Sequence, residues 1–338
     1  MSWFKPSPKA APFGADLAAR VAAVLGDGHA LCYGHRDYCG MGLAFVQGRF
    51  CYGEVWDGQV EDLEKLAQGG ENARVFEDAG AFVDWLAQQT DESLSRSRDE
   101  NDFYRHNQTL DRERLVAFVR DHESVPLLTF KRWSKMWKAV PAQGNGSGWF
   151  GCVYGAYSEP HRQYHNLRHL QECLEVFDEV KSLAVNPALL EAALWFHDVV
   201  YDPQTTSENE EMSADLARDA LESGEAEPAV VGHIRSLILV TKRHIPDSTP
   251  DAALICDIDL AILGREEARF QEYEEAIAQE YAWVPEAEYV KGRRRVLENF
   301  LQRESLYFTE TFVQRYEARA RSNLRWSLER LAARSAAE

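Results

Sequence analysis

Tyr164-His165-Asn166-Leu167-Arg168-His169, with His197-Asp198 following 28 residues after its last histidine, is the stretch on which the reading of this 338-residue chain turns. Downstream of Tyr164 the apolar residues fall at Leu167, Leu170, Leu174 and Phe177. That spacing predicts a helix over residues 163–181. On such a helix His165 and His169 lie roughly 40° apart around the axis and about 6 Å along it. Both then flank the apolar stripe, where a metal bounded by protein on one side would sit. Residues 187–201 are apolar nearly all round, from Leu189 and Leu190 through Trp195 and Phe196 to Val199 and Val200. A helix of that kind is buried. His197 and Asp198 sit inside it, and a buried carboxylate needs a cation or strong donors. A divalent metal would satisfy both residues through imidazole nitrogen and carboxylate oxygen. Helix neighbours diverge by about 100°, so the two can share an ion only near a helix edge or a local distortion. Further on, Asp257 and Asp259 lie in a short apolar helix over residues 251–263. They are about 200° apart, so one of the two should face the metal, and spacing alone does not choose between them.

The ordered set His169, His197-Asp198 and a later aspartate resembles the HD-domain superfamily of metal-dependent phosphohydrolases. The Tyr164–His169 segment is also similar to the Tyr-His-Asn-x-x-His segment of cyclic-nucleotide phosphodiesterases, which share that helical core. The resemblance runs from about residue 132 to residue 331. It is nearest to a bacterial group known only as predicted HD-superfamily phosphohydrolases. It rests on Glu159-Pro160-His161-Arg162, the histidine segment, Trp195–Asp202, Asn209-Glu210 and Asp257–Gly264. The combination is specific for a family and weak for a substrate. It implies His169, His197 and Asp198 as metal ligands with a fourth from Asp257 or Asp259. Asp259 is favoured because the family's aspartate is usually followed closely by Leu; the other would then support the site or cap a helix. It implies that His165 is the acid protonating the leaving alcohol, a task suited to imidazole. The phosphodiesterases carry another histidine three residues after the motif's aspartate. Here that position is Tyr201, which puts a full two-metal site in doubt. The implied cofactor is a divalent ion, with Mn, Mg, Zn, Fe, Co and Ni all candidates.

Several polar residues near these motifs have both a functional and a plain reading. Arg162 or Arg168 would hold a phosphate oxygen, or be ion-paired. Asn209 and Glu210 would orient water beside the metal. Against that, Ser207 and Glu210 have capping-box spacing. His244 would approach a substrate phosphate, or simply meet the carbonyl dipole just past a helix end. Arg293 would reach the pocket to bind substrate, or stay solvated or ion-paired; it belongs to a helical run, Arg293-Arg294-Arg295, whose members point different ways.

The rest of the chain bounds these readings. Formal net charge is −18, which disfavours DNA and RNA polymers as partners. A small phosphorylated substrate, nucleotides included, remains compatible because a metal dominates its own pocket. The six cysteines lack paired Cys-x-x-Cys spacing and read as reduced thiols of a cytoplasmic protein. No run of about 18 apolar residues predicts a membrane span. An oligomer is compatible with the composition.

Fold expectations follow the same order. Residues 1–90 read as a small α+β domain, with strands near 29–33, 43–46, 49–55 and 74–76 and a Gln47-Gly48 hairpin turn. His29 and His35 read there as turn or surface residues. Residues 60–68 and 79–88 read as helices, and residues 91–108 as a polar linker. Residues 109–338 read as an all-helical catalytic domain. The expected function is hydrolysis of a phosphate ester in a nucleotide or small metabolite. Two alternatives stand beside it. One is an oxygen-using two-iron enzyme, needing extra ligands from His161, Asp202 or Glu210. The other is a non-catalytic metal- or nucleotide-binding regulator.

Overall fold

The computed structural model describes residues 11–32, 39–56, 67–69, 73–94, 110–144, 146–204 and 208–336. The expected helix over 60–68, the polar linker, His35 and Ser207 lie wholly or mostly outside these. The chain divides into two compact units, residues 1–133 and 134–338.

In the first unit, α1 (Ala15–Gly26) precedes a four-stranded antiparallel meander, β1 (Ala30–Cys32), β2 (Cys39–Val46), β3 (Arg49–Trp56) and β4 (Arg74–Phe76). Val46 pairs with Arg49, so Gln47 and Gly48 form the two-residue turn, both at positive φ (52° and 80°). That backbone suits the right-handed twist of the strands it joins. α2 (Ala79–Ala87) starts where the Asp78 side chain accepts the Ala81 N–H at 2.8 Å. It buries Phe82 and Leu86, and Phe82 stacks on Phe50 of β3 with centroids 4.8 Å apart. α3 (Arg112–Glu123) belongs to this unit too, because Leu115, Phe118 and Val119 share the core formed by Leu17, Val21 and Phe82. The division therefore falls later than a boundary at 91–108 suggests. His29 is not a surface residue: it is 5% exposed, with its ring 4.1 Å from that of His122.

The second unit is helical. After α4 (Phe130–Ala139), which crosses the division, come α5 (Ser147–Tyr157), α6 (Leu167–Val180) and α7 (Pro187–Phe196). They are followed by α8 (Asn209–Ser223), α9 (Pro228–Thr241), α10 (Pro250–Asp259), α11 (Glu267–Glu280), α12 (Glu286–Leu301) and α13 (Ala318–Ala336). α7 is the apolar helix of the sequence reading; Leu190 and Ala192 through Phe196 are all buried. It packs against α6, α8, α9 and α10, so the site it carries is surrounded by the unit's core. Among the described residues no helix is long and apolar enough to cross a membrane.

Three local breaks differ from the expected elements, and each shapes the site. α7 ends at Phe196, so His197 and Asp198 lie in the turn that follows it and not within a helix reaching 201. α6 begins at Leu167, where the Asn166 side chain accepts the Arg168 N–H. His165 therefore precedes the helix and does not share a face with His169. Pro160 sits in a turn and not at a helix start. α10 stops at Asp259 and tightens into a 3-10 turn, Leu260–Gly264. That turn is fastened by Tyr307, whose hydroxyl donates to the Leu260 carbonyl at 3.1 Å, and by Asn323, which donates to the Leu263 carbonyl at 2.8 Å. A Cβ on Gly264 would stand 2.6 Å from the Tyr316 Cβ and 2.9 Å from its carbonyl oxygen. Gly264→Ala should thus lower unfolding free energy by about 1–3 kcal/mol through overpacking. A denaturant titration of the variant checks this; an unchanged midpoint would mean that the turn yields freely.

Candidate metal centre

The breaks after Phe196 and before Leu167 bring two chain segments together. Arg162 fastens them. Its buried guanidinium donates to the carbonyls of His165 (3.2 Å), Asp198 (2.6 Å) and Val199 (2.8 Å), and to the Glu159 carboxylate (3.0 Å). A cation there satisfies carbonyls left free where α7 ends. The Asp198 N–H is taken by the Tyr157 hydroxyl at 3.1 Å.

Between the segments, two imidazoles and two carboxylates converge. The Nε2 atoms of His169 and His197 are 3.1 Å apart. Asp198 Oδ2 lies 3.3 Å from the first and 3.1 Å from the second. Asp259 Oδ1 lies 3.3 and 3.7 Å from them. His197 Nδ1 donates to the Leu194 carbonyl at 2.8 Å, so in the neutral ring Nε2 carries the lone pair. His169, Cys173, His197 and Asp259 form a buried group that could hold a metal ion, with ligand atoms all within 4.8 Å of one another. The Cys173 Sγ is 3.8 Å from both ring nitrogens of His169, so it stands beside the ring, while the Asp198 oxygen stands off both Nε2 atoms. Metal–ligand bonds of 2.0–2.2 Å give ligand–ligand edges of about 3.0 Å in an octahedron and about 3.4 Å in a tetrahedron. The observed separations fall around those values, so the donor set fits a divalent ion.

Electrostatics agree with that fit. Burial opposes charge on Asp198 and Asp259, yet facing imidazoles hold both carboxylates well below the usual range, His197 leading at Asp198 and His169 at Asp259. His197, which burial alone would strip of its proton, is carried well above its ordinary value by Asp198.

The other candidates separate. Asp257 turns away from the cluster and is not beside the imidazoles. It accepts the N–H groups of Phe308 and Thr309, both at 2.8 Å, and the Thr309 hydroxyl at 2.6 Å. The half-turn offset between Asp257 and Asp259 is the reason. Arg162 is spent on backbone carbonyls, so it is no phosphate ligand. Arg168 is ion-paired with Glu172 and Glu272 and does not line the cavity beside the cluster. His244 Nε2 meets Asp259 Oδ2 at 2.8 Å and supports that carboxylate. Arg293 is paired with Glu274 and donates to the Tyr273 hydroxyl at 2.9 Å. Asn209 braces the loop after the His-Asp turn, accepting the Asp202 N–H at 3.1 Å. Glu210 lines the same cavity as His165, Asp198, His244, Asp259 and Arg293. Its pKa is raised, first by burial and then by Asp198. His161 and Asp202 line a different cleft, with Pro203 and Met212.

One functional residue escaped the sequence reading. Glu280, at the end of α11, accepts three consecutive backbone N–H groups with Oε1: Gln163 (2.9 Å), Tyr164 (2.7 Å) and His165 (2.9 Å). Its Oε2 accepts His165 Nδ1 at 2.7 Å and the Tyr201 hydroxyl at 2.8 Å. Tyr201, standing where the phosphodiesterases have a histidine, stacks on His165 with centroids 4.1 Å apart. His165 is therefore fixed on two sides, with Nε2 the nitrogen left over. The only mark of Glu280 in the sequence is its place on the buried stripe of α11, three residues after Ile277.

No family model, curated protein or solved structure matches this chain.

Burial works against Glu280's charge, but His165 and the donated N–H groups bring its pKa from 4.5 down to about 2. A depressed carboxylate stabilises the fold fully above its unfolded pKa, and that stability disappears as pH falls through the folded value. The amount is on the order of 3 kcal/mol, lost between about pH 4.5 and pH 2. Glu280→Gln should be less stable than wild type at pH 7, and the gap should close towards pH 2. Urea titrations of both proteins across that range measure it; a pH-independent gap would refute the charge-based role.

Proposed function

We propose that this protein is a metal-dependent phosphohydrolase of a small phosphate ester, with His169, His197, Asp198 and Asp259 holding a divalent cation. The observation that carries this reading is the shared cavity. His165, locked by Glu280, lines the same space of about 480 Å³ as Asp198 and Asp259. A bound divalent ion would lower the pKa of a coordinated water and polarise the phosphoryl group. The chain's own residues supply the rest. Asp198 is the preferred fourth ligand over Cys173, because its oxygen stands within 3.3 Å of both Nε2 atoms whereas the thiol flanks one ring.

His165 would act as general acid. With Nδ1 bound to the Glu280 carboxylate, a protonated ring keeps its second proton on Nε2, available to a departing alkoxide. The Tyr201 ring prevents the imidazole from tilting out of that orientation. His244 keeps Asp259 aimed at the cluster, the kind of support that fixes a ligand's direction. Glu210, with its raised pKa, is placed to accept or return a proton at the cavity wall. Of the extra ligands a two-iron oxygenase would draw on, His161 and Asp202 line the other cleft and Glu210 alone lines the cavity beside the cluster, which gives that reading less support.

The test separates metal holding from proton donation. His165→Ala should keep the metal content of the wild type while hydrolysis of an alkyl phosphate falls by about 10²–10⁴-fold. Hydrolysis of the p-nitrophenyl ester, whose leaving group needs little protonation, should fall far less. Steady-state kinetics on metal-analysed protein read both. Equal losses on the two esters, or no hydrolysis by the metal-loaded wild type of any ester in a broad panel, would overturn the assignment.

A further inference from the structure

The cavity beside the metal group carries information about what enters it. Apart from the cluster's own residues, its wall is mostly hydrocarbon and aromatic, with Ile262, Ile277, Tyr281, Tyr289, Val296 and Phe300 contributing. Its volume, about 480 Å³, lies within the range of small-molecule pockets. The charges that line it are unbalanced. Three basic side chains face it, and each is paired with a carboxylate: His165 with Glu280, His244 with Asp259 and Arg293 with Glu274, the Arg293 Nε alone being buried without a hydrogen-bond partner. Arg293 is also deeply sunk, its side chain 9% exposed. Four carboxylates line the same wall, Asp198, Asp259, Glu210 and Glu288. No lysine does so among the described residues.

This arrangement sorts substrates by charge. A divalent ion held by the cluster would offset two of the four carboxylates and would accept one phosphate. Any further phosphate would extend towards Glu210 or Glu288 with no unpaired cation to receive it, and a buried anion without a partner is costly. Sugar hydroxyls would meet mostly apolar wall and lose water without equivalent hydrogen bonds. An apolar or aromatic group there would shed water favourably.

We propose that the cavity selects a phosphoester bearing a single phosphate on an apolar or aromatic alcohol, and rejects polyphosphates and sugar phosphates. This inference rests on the phosphohydrolase reading for its chemistry, but the selection itself is a matter of binding and can be measured separately. Calorimetry on the metal-loaded full chain would compare phenylphosphonate with methylphosphonate, neither of which is hydrolysed. A second pair, AMP and ATP in saturating free metal, differs only in added phosphates. Phenylphosphonate should bind at least tenfold tighter than methylphosphonate, and AMP tighter than ATP. Val296, 42% exposed, can be changed with little risk to folding. Val296→Asp should weaken phenylphosphonate severalfold and leave methylphosphonate unchanged, at constant metal content. Equal binding of the two phosphonates, tighter binding of ATP, or an unaffected phenyl preference in Val296→Asp would each overturn the proposal. In parallel, hydrolysis of phenyl phosphate, glucose 6-phosphate and ATP separates the two claims. Selective binding without turnover of any ester would remove the phosphohydrolase reading and leave the selection standing. Turnover favouring ATP or glucose 6-phosphate would do the reverse.

Discussion

The buried guanidinium of Arg162 joins the two halves of the site. It gathers the carbonyls of His165, Asp198 and Val199 around one positive charge. α7 is too apolar to end in solvent, yet it must end where its histidine and aspartate can point the same way. An arginine buried at that end supplies donors to carbonyls that water would otherwise need to reach. His197 caps α7 with helical dihedrals, and its Nε2 and the Asp198 carboxylate come within 3.1 Å of each other. Glu280 does the complementary work on the other segment, a negative charge drawing in three N–H groups just before α6. Opposite charges at opposite polarity of backbone thus hold His165 and Asp198 in register across the cavity.

This arrangement gives the centre its rigidity before any ion arrives. His197 is directed by Leu194 and Asp259 by His244, so two of the four donors are oriented by separate neighbours. Such support fixes the tautomer and the lone-pair direction, which a divalent ion needs more than it needs proximity. The cavity beyond shares the same residues, so in the proposed function holding a metal, protonating a leaving group and choosing a substrate would be neighbouring tasks of one wall.

Much of this was legible in the residues. Period-3.6 stripes located most helices of the second unit, though not α5 (Ser147–Tyr157), and Gln47-Gly48 located the hairpin of the first. His169, His197, Asp198 and Asp259 could be nominated from order and spacing with the help of a resemblance. What spacing could not supply was where helices stop. Residues 163–166 carry no strong breaker, so the helix seemed to include His165; the stop comes from Asn166 capping and from Glu280, 115 residues away from His165. Arg162 looked like a phosphate ligand because an arginine beside a histidine motif suggests one; only the fold reveals that backbone carbonyls consume it. Glu280 stands among many acids of α11, and its single distinguishing trait is its position on the stripe marked by Phe270 and Ile277. The end of the first unit is not legible in the sequence, because Leu115 and Phe118 look like any amphipathic helix until their partners are known.

The central claim is that residues distant in the chain share one cation, and that Asp259 rather than Asp257 completes the set. Elemental analysis of purified wild type, Asp259→Ala and Asp257→Ala, each dialysed against the same divalent metal, tests it most directly. The account predicts a bound ion in the wild type and in Asp257→Ala, and its loss from Asp259→Ala with helical content preserved. Retention of metal by Asp259→Ala, or its loss only from Asp257→Ala, would contradict it.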